Sequence, residues 1–355
     1  MGANLIVLAS SLLLQFPQQD TTNITEQPSH GFAYERLSDV LQYNRVQGLS
    51  FGLGYQARLP GSRSTGVYAT IRYGLSDERV TGRLTLLHES RRRSLALSGY
   101  SDVADIDPFS PGRTLPNTLN ALLAGHDNGD YALAQGGSAS WETSIGTRLE
   151  LALGAGVERQ SSTNGVARSA INDFLGGTGL FPPNPPVREG TFGSGSVRLT
   201  RLGRTTWNVT LDALGGAGQA TARVFADARR DFGSGLGISL RVKGGMGTEP
   251  ALPQTLFRVG GLNTVRGFEY GTLRAPAFWA AQVDFNPLRG RVRPVLFLDA
   301  GQASRLEDLF TSTALVGGGA GLSLLNGLIR FDLSRPISPD GARKLRFDLV
   351  IGGAR

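Results

Sequence analysis

The chain has 355 residues, enough for one large domain or two ordinary ones. Its composition argues against an ordinary soluble domain, because only 18% of the residues are charged and 40% are hydrophobic, while 49 are glycine. The net charge of +7 comes almost wholly from dispersed arginines, which argues against a nucleic-acid interface, and the absence of cysteine excludes disulfides and thiolate sites. Low charge with abundant glycine favours a transmembrane β-barrel.

The first thirty residues differ from the rest of the chain. Ala3–Leu14 is the longest apolar run, too short for a transmembrane helix but similar to the apolar region of a secretory signal. Residues 15–30 are polar, contain two prolines and show no periodicity, as in a linker. We therefore assign residues 1–30 to an atypical export signal with a linker, and residues 31–355 to a β-barrel. The alternative is that the sequence starts inside a longer protein.

From Gly48 onwards, apolar and polar residues alternate with a period of two. In the first such segment, Leu49 and Phe51 alternate with Ser50 and Gly52. This pattern predicts strands of about ten residues, the length that spans an outer membrane. Fifteen segments of this kind are predicted, at residues 48–59, 67–75, 79–88, 92–100, 131–143, 145–158, 191–203, 205–214, 219–231, 236–246, 277–287, 292–300, 314–325, 327–335 and 343–352.

The connections between these segments are of two kinds. Very short turns alternate with long insertions at residues 104–130, 159–190 and 247–276. Short periplasmic turns and long external loops are the usual asymmetry of outer-membrane barrels. Within the insertions, a short helix is predicted at Asn117–Ala124 and a stiff, extended segment at Phe181–Pro186.

The number of strands is expected to be sixteen, because single-chain bacterial barrels have even strand numbers. The sixteenth strand should lie before or just after residues 160–190, or be hidden within residues 95–104. A soluble β-sandwich or propeller is the alternative. We find no propeller-like repeat of about 40–50 residues, and Leu345, Phe347 and Leu349 form an apolar row that a soluble protein rarely exposes.

The most informative motif begins in the last long insertion. The sequence Arg258–Gly261 (RVGG) is followed by Val265–Phe268 (VRGF), and Phe297–Gly301 (FLDAG) comes about thirty residues later. A guanidinium group cannot discharge, so an arginine that is buried among strands requires a carboxylate partner. Arg266 therefore suggests a loop that is pinned inside a closed barrel, with Asp299 as the inward carboxylate of a strand.

These motifs, in this order and spacing, resemble the barrel of the BamA, TamA and FhaC superfamily of outer-membrane assembly and two-partner secretion proteins, the bacterial surface antigen family. The resemblance covers roughly residues 34–353. It implies a sixteen-stranded barrel whose long loop folds back into the lumen, where Arg266 contacts Asp299. Asp284 is either a second acceptor on the neighbouring strand or a lumen charge without a special role. The candidate loop and its anchor comprise Gly260, Gly261, Val265, Arg266, Gly267, Phe268, Phe297, Asp299 and Asp284.

Two further segments carry a weaker likeness to the same superfamily. Tyr43–Gly48 is similar to the opening of the barrel in barrel-only members, and Asp127–Tyr131 to their early extracellular loop. Two features depart from the superfamily. Some forty residues precede the first predicted strand, too few for the POTRA domains that receive client polypeptides, and the last strand ends in Ile351–Arg355 instead of an aromatic residue.

Enzyme signatures such as G-x-S-x-G, H-E-x-x-H or a P-loop do not occur, so we expect no catalytic residues, no metal and no cofactor. The resemblance implies a non-enzymatic role in inserting or translocating polypeptides at the bacterial outer membrane. The expected partners are outer-membrane lipid, client polypeptides and periplasmic or POTRA-bearing proteins, and nucleic acid is not expected. The alternative is a passive pore, or the barrel moiety of a larger multi-component system.

Overall fold

The computed structural model describes residues 30–33, 40–62, 64–110, 112, 114–174, 176–233, 237–288, 290–339 and 345–351. The chain divides into two compact units. Unit 1 extends to Leu199 and includes Asp212–Ala220 and Leu252–Gln254, and unit 2 comprises Thr200–Leu211, Thr221–Ala251 and the chain from Thr255 onwards. The predicted export signal and most of the linker lie outside the described residues, and the predicted domain boundary at residue 30 falls on the first strand.

Unit 1 is a sheet of antiparallel strands in which β2 to β8 pair in chain order. Short helices lie in its two long insertions, at Leu115–Leu119, continued by a π-helical turn Asn120–Ala124, and at Ala170–Phe174. Its strands are β1 (His30–Phe32), β2 (Leu41–Asn44), β3 (Gly48–Arg58), β4 (Thr65–Gly74), β5 (Val80–Glu89), β6 (Arg93–Asp105), β7 (Tyr131–Ile145) and β8 (Leu149–Ser162).

Three strands contribute residues to both units, namely β9 (Gly190–Arg201), β10 (Thr205–Gly216) and β11 (Gln219–Phe232). Unit 2 adds eight strands: β12 (Gly237–Gly247), β13 (Phe257–Val259), β14 (Leu273–Ala275), β15 (Ala277–Asn286), β16 (Val292–Ser304), β17 (Leu315–Leu324), β18 (Ile329–Ser338) and β19 (Arg346–Ile351). The strands β11, β12 and β15 to β19 pair antiparallel in that order, while β13 and β14 form a separate hairpin. Single-turn 3-10 helices lie at Pro253–Thr255, Leu306–Asp308 and Leu325–Gly327.

The alternation of side chains along the strands is inverted relative to that of a soluble sheet. On β3, Phe51 and Leu53 are 50% and 57% exposed while Ser50 is buried. On β16, Leu296 and Leu298 are exposed while Asp299 is fully buried. We call these two sides of each sheet the apolar face and the polar face. An exposed apolar face behind a buried polar one is the arrangement of a wall that faces lipid.

Each of the fifteen predicted strands overlaps an observed strand. The expected location of a further strand was wrong. Residues 93–105 form the single strand β6, and the insertion after β8 contains a short helix, whereas the additional strand next to β3 is β2, which precedes the first predicted strand. The four residues of β2 are too few to show a period of two. Among the described residues, no helix has the length and apolar character needed to cross a membrane.

One edge of β3 is covered by two separate pieces of chain. Leu41 of β2 lies opposite Phe51, and His30 of β1 lies opposite Ala57. A continuous strand in the register of β2 would bring residue 35 opposite Ala57. The registers in which β1 and β2 pair with β3 therefore differ by five residues.

Candidate functional site

The last long insertion folds back on the polar face of unit 2. At the base of the insertion, Phe257 of β13 lies opposite Ala275 of β14. Residues 260–272 form the loop of this hairpin, and its centre is buried, since Val265 and Arg266 are 0% and 4% exposed. We call residues 260–272 the VRGF loop.

Arg266 is held by carboxylates from three strands. Its Nε and Nη2 donate to the two carboxylate oxygens of Asp299 on β16 at 2.7 and 2.6 Å, and its backbone N–H donates to Asp299 Oδ2 at 3.0 Å. Nη2 also donates to Asp284 Oδ1 on β15 at 2.8 Å, and Nη1 to Asp332 Oδ2 on β18 at 3.4 Å. A bidentate pair of this kind fixes both the charge and the orientation of the guanidinium.

A second arginine completes this charged group. Arg330 on β18 donates from Nε to Asp332 Oδ1 at 2.6 Å and from Nη1 to Asp284 Oδ2 at 2.7 Å. The ring of Phe297 lies beneath both arginines, with its centroid 3.8 Å from Cζ of Arg266 and 5.4 Å from Cζ of Arg330. We call the two arginines and three aspartates the Arg266 cluster.

The charge balance of the Arg266 cluster keeps its central arginine ionised. Burial by itself lowers the pKa of Arg266, but the neighbouring carboxylates outweigh this effect, so the pKa lies above its ordinary value. Two guanidinium groups against three carboxylates leave one negative charge in excess. Because Asp299 is fully buried, this part of the cluster depends on Arg266 for its neutralisation.

The VRGF loop approaches the sheet so closely that two glycines are required. Gly267 has a φ of +93°, and a Cβ at this position would lie 2.5 Å from the carbonyl carbon of Arg335 on β18. On β17, a Cβ at Gly317 would clash with the backbone oxygen of Arg266. A side chain at either position would therefore push the loop away from the wall.

The start of the loop is a compact turn. The backbone N–H of Gly260 donates to Thr264 Oγ1 at 2.9 Å, and that of Gly261 donates to the carbonyl of Val265 at 3.0 Å. Both glycines have positive φ, +113° and +91°. Lys243 of β12 donates from Nζ to the carbonyl of Asn263 at 2.8 Å, so the turn is also attached to a strand.

Aromatic packing holds the base of the loop. The ring of Phe257 lies 4.6 Å from that of Phe278 on β15 and 6.0 Å from that of Phe225 on β11. The guanidinium of Arg223 covers the rings of Phe225 and Phe257 and donates to the carbonyl of Thr255 at 2.9 Å. The VRGF loop is therefore anchored at its base by rings and at its tip by ion pairs.

Unit 1 contains a second buried arginine, Arg45, in the turn between β2 and β3. Its backbone N–H donates to Asp127 Oδ2 at 2.7 Å, and its Nη2 donates to the backbone carbonyl of Asp127 at 2.6 Å. Its Nη1 donates to the carbonyls of Pro182 and Pro183 at 3.2 and 3.4 Å. The two segments with weaker likeness, Tyr43–Gly48 and Asp127–Tyr131, are thus brought into contact.

The same network continues through side chains of both insertions of unit 1. Asn117 donates from Nδ2 to Asp127 Oδ1 at 2.7 Å, and the hydroxyl of Tyr131 donates to the same oxygen at 2.9 Å. Asn184 accepts from the backbone N–H of Tyr131 at 2.8 Å and donates to the carbonyl of Thr163 at 2.8 Å. We call Arg45, Asp127, Asn117, Tyr131 and Asn184 the Arg45 cluster.

The structure thus places Arg266, Asp284, Asp299 and Phe297 in direct contact. Val265 and Phe268 are buried, but Phe268 takes no part in the ion pairs. Arg330 and Asp332 were not predicted as site residues, although they occupy alternate positions of β18 and lie beside the apolar Phe331 and Leu333. The contact between Arg45 and Asp127 was not predicted either, because sequence spacing offers no signal for it. In the described part of the chain, no group of three or more His, Asp or Glu side chains is placed to hold a metal ion.

Comparison with protein families gives two matches. Residues 18–192 match the C-terminal domain of a family of unknown function, DUF5686. Residues 214–354, which contain the whole Arg266 cluster, match the Omp85 superfamily domain. The second part of the chain is therefore similar to the Omp85 superfamily domain. With this domain and this fold, the chain is a protein of the bacterial outer membrane.

Solved structures share the fold of the Omp85 superfamily domain and of the strands before it. BamA from Haemophilus ducreyi lacking POTRA domains 1–3 superposes with a TM-score of 0.61 at 12% identity, over 88% of this chain and 69% of that chain. CdiB from Acinetobacter baumannii gives a TM-score of 0.50 at 12% identity, over 91% of this chain and 59% of that chain. The chain thus spans less than two thirds of CdiB. No curated protein is a significant match in sequence.

Proposed function

We propose that the strands close into an outer-membrane barrel with the VRGF loop in its lumen, and that this barrel assists the insertion or passage of polypeptides without catalysis. BamA and CdiB share the fold, and the chain carries the Omp85 superfamily domain. Client polypeptides and periplasmic or POTRA-bearing proteins are the proposed partners, and outer-membrane lipid surrounds the wall.

The observation that carries this proposal is the attachment of the VRGF loop. Here one guanidinium binds carboxylates on β15, β16 and β18, and the backbone of Gly267 lies against that of β18. Such a loop fixes the shape of the wall around it, because any separation of these strands breaks buried ion pairs.

The proposed mechanism is physical. The loop keeps the wall of unit 2 rigid, while a weaker junction between strands opens towards lipid and lets a client strand enter. Backbone groups that are exposed in a bilayer must find partners, so an opened junction favours the pairing of an incoming extended chain. The protein's contribution is to hold this junction close to opening, and no covalent bond is made or broken.

Reconstitution into lipid vesicles tests the proposal. We expect the protein to accelerate the folding of a small outer-membrane barrel that is added unfolded. Arg266→Ala should abolish this acceleration, and Arg305→Ala should not, because Arg305 forms only exposed surface ion pairs. Single-channel conductance of the same preparations separates the alternatives. A wild-type protein that conducts ions steadily and leaves client folding unchanged is a passive pore, and the proposal is then wrong.

A further inference from the structure

Two adjacent short turns of unit 1 carry four exposed arginines. Arg91 and Arg92 lie in the turn between β5 and β6, Arg93 begins β6, and Arg148 ends the turn between β7 and β8. The two turns are neighbours, because the carbonyl of Arg92 accepts from the backbone N–H of Ser144 at 2.9 Å. We call these four residues the arginine rim.

Hydrogen bonds hold the backbone of the arginine rim, while its guanidinium groups have no carboxylate partner in the part of the chain that the structure describes. The backbone N–H and the hydroxyl of Ser90 both donate to the carbonyl of Arg93, at 2.8 and 3.2 Å. Within the described residues, none of the four guanidinium groups forms an ion pair. Glu142 and Glu150 of the same strand ends belong to the polar face, opposite Ala152 and Ser144. The rim thus presents four positive charges without a counterion.

The arginine rim lies where the apolar face of unit 1 ends. Arg93 continues the row of Leu95 and Leu97, which are 43% and 47% exposed, and Ile145 ends β7 with 48% exposed. In a wall that faces lipid, the border of the apolar face is level with the phospholipid headgroups. Arginines at this height reach phosphate oxygens while their aliphatic parts stay on the apolar surface.

The opposite ends of the same strands carry a mixed charge. There the turn between β4 and β5 contains Asp77, Glu78 and Arg79, and the carboxylates Asp105, Asp107, Asp127 and Asp130 of the first long insertion are buried. The arginine rim, by contrast, is a group of neighbouring exposed arginines, which suits an anionic surface.

We propose that the arginine rim binds the headgroups of anionic phospholipids. A guanidinium offers two parallel donors that match two phosphate oxygens. A headgroup with net negative charge is preferred over a zwitterionic one, because no cationic group competes with the arginines. The acyl chains of the same lipid cover Leu95 and Leu97. A free phosphate ion cannot make this apolar contact. This binding requires only the location in the membrane and does not depend on the handling of polypeptides.

Lipid retention measures this preference. The protein in detergent is mixed with equal amounts of phosphatidylglycerol and phosphatidylcholine, and the lipids that stay bound are counted by native mass spectrometry. We expect about ten-fold enrichment of phosphatidylglycerol, which falls towards unity at 0.5 M salt because the charges are exposed. The variant with Arg91, Arg92, Arg93 and Arg148 all replaced by Gln should lose the enrichment.

The matched control replaces Arg79 and Arg168, two exposed arginines of unit 1 outside the rim, with Gln. It should keep the full enrichment. Equal retention of both lipids by the wild-type protein, or enrichment that survives in the rim variant, overturns the proposal. Displacement of phosphatidylglycerol by millimolar inorganic phosphate also overturns it, because the rim is then a site for a free anion. If the rim variant does not fold, the test is the wild-type protein at high salt. Enrichment of phosphatidylglycerol that does not fall at 0.5 M salt then overturns the proposal.

Discussion

The two buried arginines of this chain are bound in different ways. Arg266 binds three side-chain carboxylates on three strands, so it fastens a loop to a wall. Arg45 binds one carboxylate closely and otherwise backbone carbonyls of two insertions, so it fastens loops to one another. Both arrangements use the geometry of the guanidinium group, but the Arg266 cluster also depends on the balance of several buried charges. Removal of a charge should therefore have a larger effect on stability in the Arg266 cluster than in the Arg45 cluster.

The largest effect is expected for Asp299→Asn, which removes the fully buried carboxylate of the Arg266 cluster. Arg266 then loses its bidentate partner, and breaking a buried pair from one side costs about 3–5 kcal/mol. Denaturant titration of the protein in detergent, followed by heat-modifiable gel migration, measures the free energy of unfolding. The matched control is Asp308→Asn at the exposed turn after β16. A loss below about 1 kcal/mol would show that water replaces the carboxylate.

The next largest effect is expected for Arg45→Lys. Lysine keeps the charge but cannot donate to Asp127 and to the carbonyls of Pro182 and Pro183 together, so we expect a loss of about 2 kcal/mol. Limited proteolysis of residues 163–189 should become faster in this variant. The corresponding change at an exposed position, Arg168→Lys, is the control. Unchanged proteolysis would mean that charge alone holds the Arg45 cluster.

A smaller effect is expected for Gly267→Ala, which disturbs only the distance between the VRGF loop and β18. The positive φ and the clash with the backbone of Arg335 together cost about 1–3 kcal/mol. Protease protection of the VRGF loop should fall before the whole protein unfolds. Gly99→Ala is the control, because nothing lies within 4 Å of a Cβ at that position. Equal stability of both variants would contradict the close approach.

The smallest effect is expected for Arg330→Gln. The cluster then carries one positive charge against three negative ones. Asp284 is 24% exposed in its side chain, so water compensates for part of its loss, and the buried Asp332 keeps its contact with Arg266 at 3.4 Å. We expect a loss of about 1 kcal/mol. In a double-mutant cycle with Asp284→Asn, the coupling energy should be smaller than that between Arg266 and Asp299. The reverse order would make Arg330 the centre of the cluster.

Much of the fold could be predicted because the wall has a simple physical rule. A strand between lipid and a polar interior must alternate, and β16 follows this rule through Leu296, Phe297, Leu298 and Asp299. The period of two also placed Asp299 on the polar face of β16. The strand β2 could not be found, because four residues show no period.

The candidate site was harder to predict in its long-range parts. Arg330 and Asp332 lie 64 and 66 residues after Arg266, and only the register of β16, β17 and β18 brings them to it. Arg45 and Asp127 lie 82 residues apart in the chain. Contacts of this kind depend on how insertions fold over the strands, and local periodicity contains no information about that.

We expect the five-residue offset between β1 and β2 to depend on the residues that precede β2 in the sequence. Phe51, Leu53 and Tyr55 of β3 point to the apolar face. A first strand that kept the register of β2 would place Asp39 beside Leu53, where a carboxylate in lipid is costly. With the offset, Phe32 lies against Tyr55 at a ring distance of 6.3 Å instead. We expect Asp39→Val to remove this obstacle to pairing in the register of β2.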